Sequence, residues 1–307
     1  MTLKLSDTAP VQTLLDRVAG LDVVSGNPRL KAIIRRIVGD LFATIDEFDV
    51  TDDELWTALN FAAQGSGEYG LWAAGLGIEH YLDLRADAID AAEGVASGTP
   101  RTIEGPLYVA GAPVTNGTAR LDDGADKGEV LIMHGQVRGA DGTPLPGAKV
   151  EVWHANTLGN YSYFDKTQSD YNLRRTIIAD ADGRYAFRSI MPSGYSCPPG
   201  GSTETILKAI GRHTNRPAHI HFFISADSHR HLTTQINIDG DPYLRDDFAY
   251  ATREELIPPV THQSGGALAT SFDVAGQHAE IEFDFVMLRA HDADEVHASS
   301  RPRALAA

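Results

Sequence analysis

Several kinds of residue are scarce in this sequence, and each scarcity excludes a class of protein. The 307 residues include one cysteine, Cys197, so neither an internal disulfide nor a zinc site of several thiolates can form. Lys and Arg number 26 against 42 Asp and Glu, and the net charge of -16 argues against nucleic acid and anionic membrane surfaces as partners. The chain has no run of about 18 uncharged apolar residues, and its first residues lack the apolar segment of a secretion signal. We therefore expect a cytoplasmic protein that binds no nucleic acid and does not insert into membranes.

The first hundred residues have the apolar spacing of helices, with apolar side chains recurring every three or four positions. Asn27 is expected to cap a helix, because Pro28 after it is favoured at the first helical position. Thr51 and Glu54 have the spacing of a capping box, in which each side chain satisfies the other's backbone amide. Helices are predicted to start near Pro10, Pro28, Thr51 and Gly77.

From about Thr99 the apolar period changes to two, and Gly and Pro separate short runs, as in an antiparallel sandwich or barrel. Strands are predicted at residues 129–137, 149–154, 175–179, 184–188, 218–225 and 232–238. A final hairpin is predicted from residues 271–274 and 280–288. The expected fold class is α+β, mainly β, with an all-helical region at 1–98, an antiparallel β-sandwich at 99–290 and a poorly ordered tail at 291–307.

Two histidines, His219 and His221, are separated by one residue within the predicted strand 218–225. Alternate residues of a strand project from the same face, so this pair can form half of a metal site. Spacing alone leaves a second interpretation open, in which both imidazoles are hydrogen-bonded on a half-buried strand.

Two further motifs compete with this pair. His229 and His231 have the same spacing, but they follow Asp-Ser in a polar segment, and solvated side chains are the simpler interpretation. His278 and Glu280 could begin a two-histidine, one-carboxylate iron(II) site. Glu280 is expected to face solvent at the start of a strand, so this pair is the minor alternative.

A metal held by His219 and His221 needs further ligands, and without several thiolates these are carboxylate, histidine or tyrosine. A phenol titrates near about 10, but a trivalent hard cation can displace its proton, so iron(III) favours tyrosine ligands. Tyrosines lie in loops that contain Gly, Asn or Pro at Tyr161, Tyr163 and Tyr195. For each of them, ordinary packing with the hydroxyl turned outward is the competing interpretation.

Four motifs with chemically versatile side chains follow one another along the chain. They are Trp-His-Ala-Asn-Thr at 153–157 leading to Tyr161, Asn-Leu-Arg-Arg-Thr at 172–176, Gly-Tyr-Ser-Cys-Pro-Pro at 194–199 and Arg-His-Thr-Asn-Arg-Pro-Ala-His-Ile-His at 212–221. In this order they resemble the motifs of the intradiol ring-cleavage dioxygenases, most closely the catechol 1,2-dioxygenases. The resemblance extends over nearly the whole chain, and it implies cleavage of catechol by dioxygen to cis,cis-muconate.

By the same resemblance, the ligands of one non-haem iron(III), Fe(3+), per subunit are Tyr161, Tyr195, His219 and His221. Tyr195 matches the ligand that leaves the metal when substrate binds, and Tyr163 is then only a neighbour. Arg216 matches the catalytic residue that stabilises negative charge on the substrate, with Gln235 as a second catalytic polar group beside it. The competing interpretation of Arg216 is a surface ion pair, which its position just before the two histidines makes less favoured.

The resemblance also assigns the walls of a substrate pocket, namely Leu71, Ala74, Ile103, Pro106, Phe248 and Ala249. Ala74 stands where some catechol enzymes carry proline, which leaves the selectivity against methyl- and chlorocatechols open. Cleavage of hydroxyquinol or chlorocatechol is therefore the nearest alternative activity.

Family resemblance further implies a homodimer formed through the N-terminal helices, with a phospholipid bound at that interface. Core packing is the simpler explanation of much of the apolar helix surface. A non-enzymatic alternative comes from residues 142–150, which resemble strands of transthyretin-like binding sandwiches. Such a carrier would not require two tyrosines and a His-x-His pair in family order.

Overall fold

The computed structural model describes residues 5–95, 98–290 and 304–305. The chain divides into two compact units, Met1–Gly67 and Glu68–Ala307. Its helices are α1 (Ala9–Val18), α2 (Pro28–Phe48), α3 (Asp52–Gln64), α4 (Tyr69–Gly75), α5 (Ile78–Ala92), α6 (Ser202–Ala209) and α7 (Ala267–Ser271), with 3₁₀ turns at Gly65–Glu68 and Glu254–Leu256. The tail expected to be poorly ordered, 291–307, lies outside the described residues except for 304 and 305.

Helices α1, α2 and α3 belong to the first unit, and two of them begin with the predicted caps. The side chain of Asn27 accepts hydrogen bonds from the amides of Arg29 and Leu30 at the start of α2. Thr51 and Glu54 form the reciprocal capping box at the start of α3. Along α2, large apolar side chains remain exposed in the single chain at Leu30, Ile33, Ile34, Ile37 and Leu41.

The second unit contains two β-sheets. The strands are β1 (Val109–Ala110), β2 (Val114–Asn116), β3 (Thr118–Arg120), β4 (Val130–Gly139), β5 (Lys149–His154), β6 (Arg174–Ile178), β7 (Arg184–Ile190), β8 (Tyr195–Ser196), β9 (Asn215–Arg216), β10 (His219–Ser225), β11 (Leu232–Asn237), β12 (Thr261–Ser264), β13 (Gln277–Glu282), β14 (Phe285–Met287) and β15 (Ala304–Leu305). One sheet has the strand order β11-β10-β5-β6-β2, and the other has the order β12-β13-β4-β7-β3, with β14 beside β4. Short pairs β1–β15 and β8–β9 lie outside these sheets.

Within these two sheets, the antiparallel pairs are β10–β11, β5–β10, β5–β6, β4–β7 and β12–β13, whereas β2–β6, β3–β7, β13–β4 and β14–β4 are parallel. Both sheets are therefore mixed, and the expectation of a purely antiparallel sandwich is wrong in this respect. The six strands predicted before the final hairpin are confirmed to within two residues at each end. The predicted fold class, mainly β with a helical N-terminal region, is therefore confirmed.

Side chains of the two sheets meet in one apolar core. On β10, Ile220, Phe222 and Ile224 belong to this core, and each is 0 % exposed. Because side chains alternate along a strand, His219 and His221 lie on the opposite face of the sheet. The core thus fixes the backbone that carries both imidazoles.

The first strand of the predicted final hairpin is wrong. Residues 271–274 lie at the end of α7, where the amide of Val274 donates to the carbonyl of Ala269 and Asp273 has a left-handed φ of 53°. The antiparallel partner of β13 is β12, and the predicted second strand is divided between β13 and β14. Short apolar runs do not distinguish a helical turn from a strand, which explains the error.

Helix α4 is missing from the sequence prediction because its seven residues, two of them glycine, are too few to show a helical period. Helix α5 is confirmed one residue from its predicted start. Within the described ranges, no helix combines the length and the apolar character needed to cross a membrane.

Candidate metal centre

His219 and His221 extend from β10 side by side, as their spacing predicts. Both are 1 % exposed, and their Nε2 atoms are 3.0 Å apart. The Nδ1 of His219 donates to the carbonyl oxygen of Pro217 at 2.6 Å, so this nitrogen carries the proton and Nε2 presents a lone pair. The Nδ1 of His221 has no hydrogen-bond partner among the described residues. Two ring nitrogens therefore face each other in a buried space.

Tyr161 and Tyr195 reach the same space from two different loops. The Oη of Tyr161 is 3.3 Å from the Nε2 of His219, and Tyr161 is 4 % exposed. The rings of the two tyrosines have centroids 5.4 Å apart and meet edge to face at 86°. The centroid of the Tyr195 ring is also 5.5 Å from that of His219. The fold thus brings together all four side chains that the family resemblance assigns as ligands.

A short hairpin and two glycines hold the backbone of Tyr195 close to its neighbours. Tyr195 begins β8 and pairs directly with Arg216 of β9. A Cβ on Gly194 would lie 2.6 Å from the carbonyl oxygen of Arg216, and a Cβ on Gly159 would lie 2.7 Å from the Cβ of Tyr195. Gly159 also has a φ of 78°, which favours glycine. A larger residue at either position would force this loop to move.

The donor set fits a cation of high charge. Burial, reinforced by the positive charge of Arg216, lowers the pKa of His219 to about 3, so its imidazole is neutral and can offer a lone pair. Burial raises the pKa of the Tyr161 phenol well above its usual range, so the proton leaves only when a strong Lewis acid takes its place. Two imidazoles and two phenols are suitable ligands for iron(III).

Tyrosine is essential to this assignment. In the part of the chain that the structure describes, no three His, Cys, Asp or Glu side chains are grouped so that they could hold a metal. A site built from His219 and His221 therefore needs the oxygen atoms of Tyr161 and Tyr195. The choice of tyrosine in turn favours a trivalent cation over zinc or iron(II).

Arg216 lies beside the four side chains and is 3 % exposed. Its Nη1 is 3.1 Å from the Nε2 of His219, and its Nη2 donates to the Oε1 of Gln235 at 2.8 Å. Gln235 is also buried, and its Nε2 donates to Asn237. Asp247 accepts from the Nε of Arg216 at 3.2 Å and from its Nη2 at 3.1 Å. A surface ion pair is therefore the wrong interpretation of Arg216.

Four of the six predicted pocket residues belong to one buried apolar cluster. The cluster consists of Ala74, Ile103, Cys197, Leu207, Phe248, Ala249 and Ala251. Pro106 is exposed and Leu71 is half-buried, and both lie outside this cluster. A Cβ on Gly105 would be 3.9 Å from the Cε1 of His221, so the segment that carries Ile103 runs past the candidate ligands.

Sequence reasoning missed three contributors to the site. Asp247 holds Arg216, the indole of Trp153 stacks on His221, and the buried guanidinium of Arg174 donates to Ser162 close to the Tyr161 ring. Trp153 and Arg174 lie within the family motifs at 153–157 and 172–176. Their place in these motifs is a sequence signal from which a role at the site could have been predicted. No local pattern marks Asp247, which is 31 residues from Arg216 along the chain.

The competing candidates do not assemble a comparable site. The ring of Tyr163 contacts its chain neighbour Phe164. His229 donates from Nδ1 to a nearby backbone carbonyl, and His231 is exposed. The expectation that Glu280 faces solvent is wrong, because its side chain is 20 % exposed and lies 3.0 Å from the Nε2 of His134 and 3.7 Å from the Nε2 of the buried His278. Within the described ranges, these three side chains do not form a group that could hold a metal.

Known proteins match the chain along most of its length. The family described as "Dioxygenase" matches residues 103–289, and the family "Catechol dioxygenase N terminus" matches residues 27–94. Catechol 1,2-dioxygenase 2 of Acinetobacter lwoffii is 62% identical over 252 residues, which cover 81% of this chain and 92% of that protein. Catechol 1,2-dioxygenase of Acinetobacter baylyi is 51% identical over 99% of both chains. The crystal structure of catechol 1,2-dioxygenase from Pseudomonas arvilla C-1 has a TM-score of 0.92 at 54% identity, covering 98% of this chain and 99% of that chain.

More distant relatives have other names. Hydroxyquinol 1,2-dioxygenase of a Rhizobium species is 32% identical over 91% of this chain and 94% of that protein. Chlorocatechol 1,2-dioxygenase of Rhodococcus opacus is 34% identical over 78% of this chain and 90% of that protein. The resemblance noted from the motifs is confirmed: the chain belongs to the intradiol ring-cleavage dioxygenases, a family known for non-haem iron, and within them to the catechol dioxygenases.

Proposed function

We propose that this protein cleaves catechol with dioxygen, between the two carbons that bear the hydroxyl groups, to give cis,cis-muconate. The observation that carries the proposal is the convergence of Tyr161, Tyr195, His219 and His221 on one buried space. These four residues would hold one non-haem iron(III) per chain. Relatives at 51% and 62% identity that are named catechol 1,2-dioxygenases support catechol as the substrate.

The chemistry supplied by a bound iron(III) is chelation of both catechol oxygens and activation of the ring toward dioxygen. Tyr195 is the ligand suited to leave and to accept a catechol proton at Oη, because its side chain is only half-buried. Tyr161 is 4 % exposed and is suited to remain in place. The two tyrosines therefore have different roles that follow from their different burial.

Arg216 would act on the substrate with the support of Gln235. The Nη1 of Arg216 faces the ligand side chains, where it can donate to negative charge on a catechol oxygen. The Oε1 of Gln235 accepts from the Nη2 of the same guanidinium and restricts its movement. Arg216 then stabilises charge directly, and Gln235 supports its orientation.

The apolar cluster supports catechol over hydroxyquinol. Ala74, Ile103, Phe248 and Ala249 are proposed to contact the ring, together with Leu71 and Pro106 beside them. A third hydroxyl placed against apolar side chains would lose its hydrogen bonds to water, which costs about 1–3 kcal/mol. Chlorocatechol has no such penalty, so its turnover depends on the space beside Ala74.

The proposal includes a cytoplasmic homodimer formed through the N-terminal helices, with a phospholipid at the interface. The exposed apolar side chains along α2 support an apolar partner for this surface. Cys197, a buried free thiol, is consistent with a reducing compartment. We propose neither nucleic acid binding nor membrane insertion.

Purified protein tests this function directly. We expect about one iron per chain, a visible absorption band from tyrosinate-to-iron(III) charge transfer, and one dioxygen consumed for each cis,cis-muconate formed. The value of kcat/KM should be highest for catechol when hydroxyquinol and chlorocatechol are compared with it. A colourless, iron-free protein that stays inactive after reconstitution with iron would exclude the enzyme and favour a binding sandwich.

A further inference from the structure

Asp247 lies against Arg216 in the interior of the protein. The side chains of Arg216 and Asp247 are 4% and 1% exposed. Burial acts to raise the pKa of Asp247, but the charge and hydrogen bonds of Arg216 outweigh burial and lower that pKa below its usual value. Both groups are therefore charged, and each would be an unpaired buried charge without the other.

Their contact fixes the orientation of a planar group. The Nε of Arg216 donates to Oδ1 of Asp247 at 3.2 Å, and Nη2 donates to Oδ2 at 3.1 Å. Because a guanidinium is planar, a carboxylate that holds the edge formed by Nε and Nη2 also determines where Nη1 points. Nη1 lies 3.1 Å from the Nε2 of His219, at the candidate metal centre.

The backbone of the pocket wall holds Asp247 in turn. Its Oδ1 accepts from the amide of Ala249 at 2.9 Å, and its Oδ2 accepts from the amide of Ala251 at 3.3 Å. Phe248 and Ala249 belong to the buried apolar cluster. One carboxylate thus connects the chain segment of the pocket wall with the guanidinium that faces the ligands.

Arg216 also needs a negative partner because burial disfavours its positive charge. Burial acts to lower the pKa of its guanidinium; Asp247 is the largest of the contributions that raise it, ahead of Tyr195 and Tyr161. The two imidazoles beside Arg216 supply no counter-charge, and the charge of Arg216 contributes to the low pKa of His219 and of His221. Asp247 therefore offsets the cost of burial and keeps a charged Arg216 close to the centre.

We propose that Asp247 is a positioning residue, which holds Arg216 so that Nη1 meets the negative charge developing on a catechol oxygen; this inference rests on the proposed function. Asp247 acts through Arg216, because its oxygens are already occupied by that guanidinium and by two backbone amides. Loss of the carboxylate should lower kcat more than it raises KM, since the charge on the substrate is greatest during the reaction.

A double-mutant cycle tests the proposal in the iron-loaded, full-length protein. Asp247→Asn preserves the size of the side chain and removes its charge, and Arg216→Gln removes the group that it holds. We expect Asp247→Asn to lower kcat/KM for catechol by about 10–100-fold in the wild-type background and by less than about 2-fold in the Arg216→Gln background. Asp246→Asn is the matched control, because Asp246 is the next residue, its side chain is 78% exposed, and it pairs with His213.

The iron content and the free energy of unfolding are measured for every variant, together with catechol binding in the absence of dioxygen. We expect Asp247→Asn to keep its iron and to lose less in catechol affinity than in kcat. Two outcomes would overturn the proposal. One is a double variant whose decrease in kcat/KM equals the product of the two single decreases, because Asp247 would then not act through Arg216. The other is an Asp247→Asn enzyme with unchanged kcat/KM.

Asp247→Glu provides the test if Asp247→Asn does not fold. This substitution keeps the negative charge and displaces the guanidinium by about the length of one methylene. We expect a lower kcat with normal iron content. An unchanged kcat would contradict a positioning role for Asp247. Failure of the proposed function is a separate outcome, seen as wild-type protein that does not cleave catechol. In that case, the double-mutant cycle is read from the free energy of unfolding. If the effects of the Asp247 and Arg216 substitutions on unfolding add up without coupling, the two side chains do not pair and the inference is overturned.

Discussion

The indole of Trp153 and the imidazole of His221 lie parallel, with ring centroids 4.9 Å apart and an angle of 5° between their planes. The two residues are direct partners across strands β5 and β10. Metal-binding histidines are usually oriented by a hydrogen bond from the second ring nitrogen, but the Nδ1 of His221 has no such partner among the described residues. Stacking on Trp153 therefore restricts rotation of this ring, in addition to its edge contact with His219.

Substitution Trp153→Phe should weaken the hold on iron. A smaller ring covers less of the imidazole, so His221 can rotate more freely and iron should leave about tenfold faster in the presence of a chelator. The loss of absorbance of the tyrosinate-to-iron(III) band measures the rate. Trp56→Phe is the control, because Trp56 is 57% exposed on α3, and equal rates for both variants would show that stacking has no effect on metal retention.

Substitution His221→Ala should separate metal binding from the folding of the helices. We expect less than about a tenth of the wild-type iron and no catechol cleavage, while the far-ultraviolet circular dichroism of the helices is retained. Iron analysis and circular dichroism on one sample provide the measurement. His229→Ala, which changes a histidine outside the site, should keep both iron and turnover; a His221→Ala protein with full iron would refute the ligand set.

Substitution Gly194→Ala should disturb the centre through a steric clash alone. The added Cβ would lie 2.6 Å from the carbonyl oxygen of Arg216, so the hairpin that carries Tyr195 must move. We expect kcat/KM to fall at least about tenfold and the free energy of unfolding to fall by about 1–3 kcal/mol. Gly67→Ala is the control, because no atom lies within 4 Å of its Cβ position; similar losses in both variants would contradict the steric argument.

Asp83 should make stability dependent on pH. Burial, partly offset by Arg253 and Arg101, raises the pKa of Asp83 to about 6 from 3.8. The folded protein therefore binds this proton more tightly than the unfolded chain, and the stabilising effect of protonation is lost as the pH rises from about 4 to 6.

The uncharged variant Asp83→Asn should accordingly be more stable than wild type by about 1 kcal/mol near pH 7.5, a value reduced for the partial exposure of the group. The difference should be smaller near pH 4. Urea unfolding at both pH values measures it, with Asp22→Asn as an exposed control. A gain that does not change with pH would show that the ionisation of Asp83 is not its cause.

Strand β10 and the helix caps could be predicted because their signals are local. Two-residue alternation separates His219 and His221 from Ile220 and Phe222, and hydrogen bonds between neighbours define the cap at Asn27. Such patterns need no knowledge of the rest of the chain. The placement of the two histidines on one face of a strand could therefore be predicted from the sequence.

The remainder of the site depends on how loops fold, which a periodic pattern does not describe. Tyr161 and Tyr163 have the same spacing as His219 and His221, but the chain turns at Tyr163, whose φ is 72°. Only Tyr161 then reaches the imidazoles. Family resemblance selected Tyr161, which lies beside the imidazoles, where spacing could not choose. Neither pattern nor resemblance identified Asp247, whose contact with Arg216 joins distant segments of the chain.

One face of the seven-residue strand β10 packs in the apolar core, and the other face carries the two histidines of the candidate metal centre. Deleting one residue from this strand would shift the register of the residues on one side of the deletion by one. Their side chains would change faces, which would turn core side chains toward the candidate metal centre or imidazoles into the core. Both the free energy of unfolding and the activity should fall after such a register shift. The length of this strand should therefore resist evolutionary change, whereas loops that bear no ligand are free to grow or shrink.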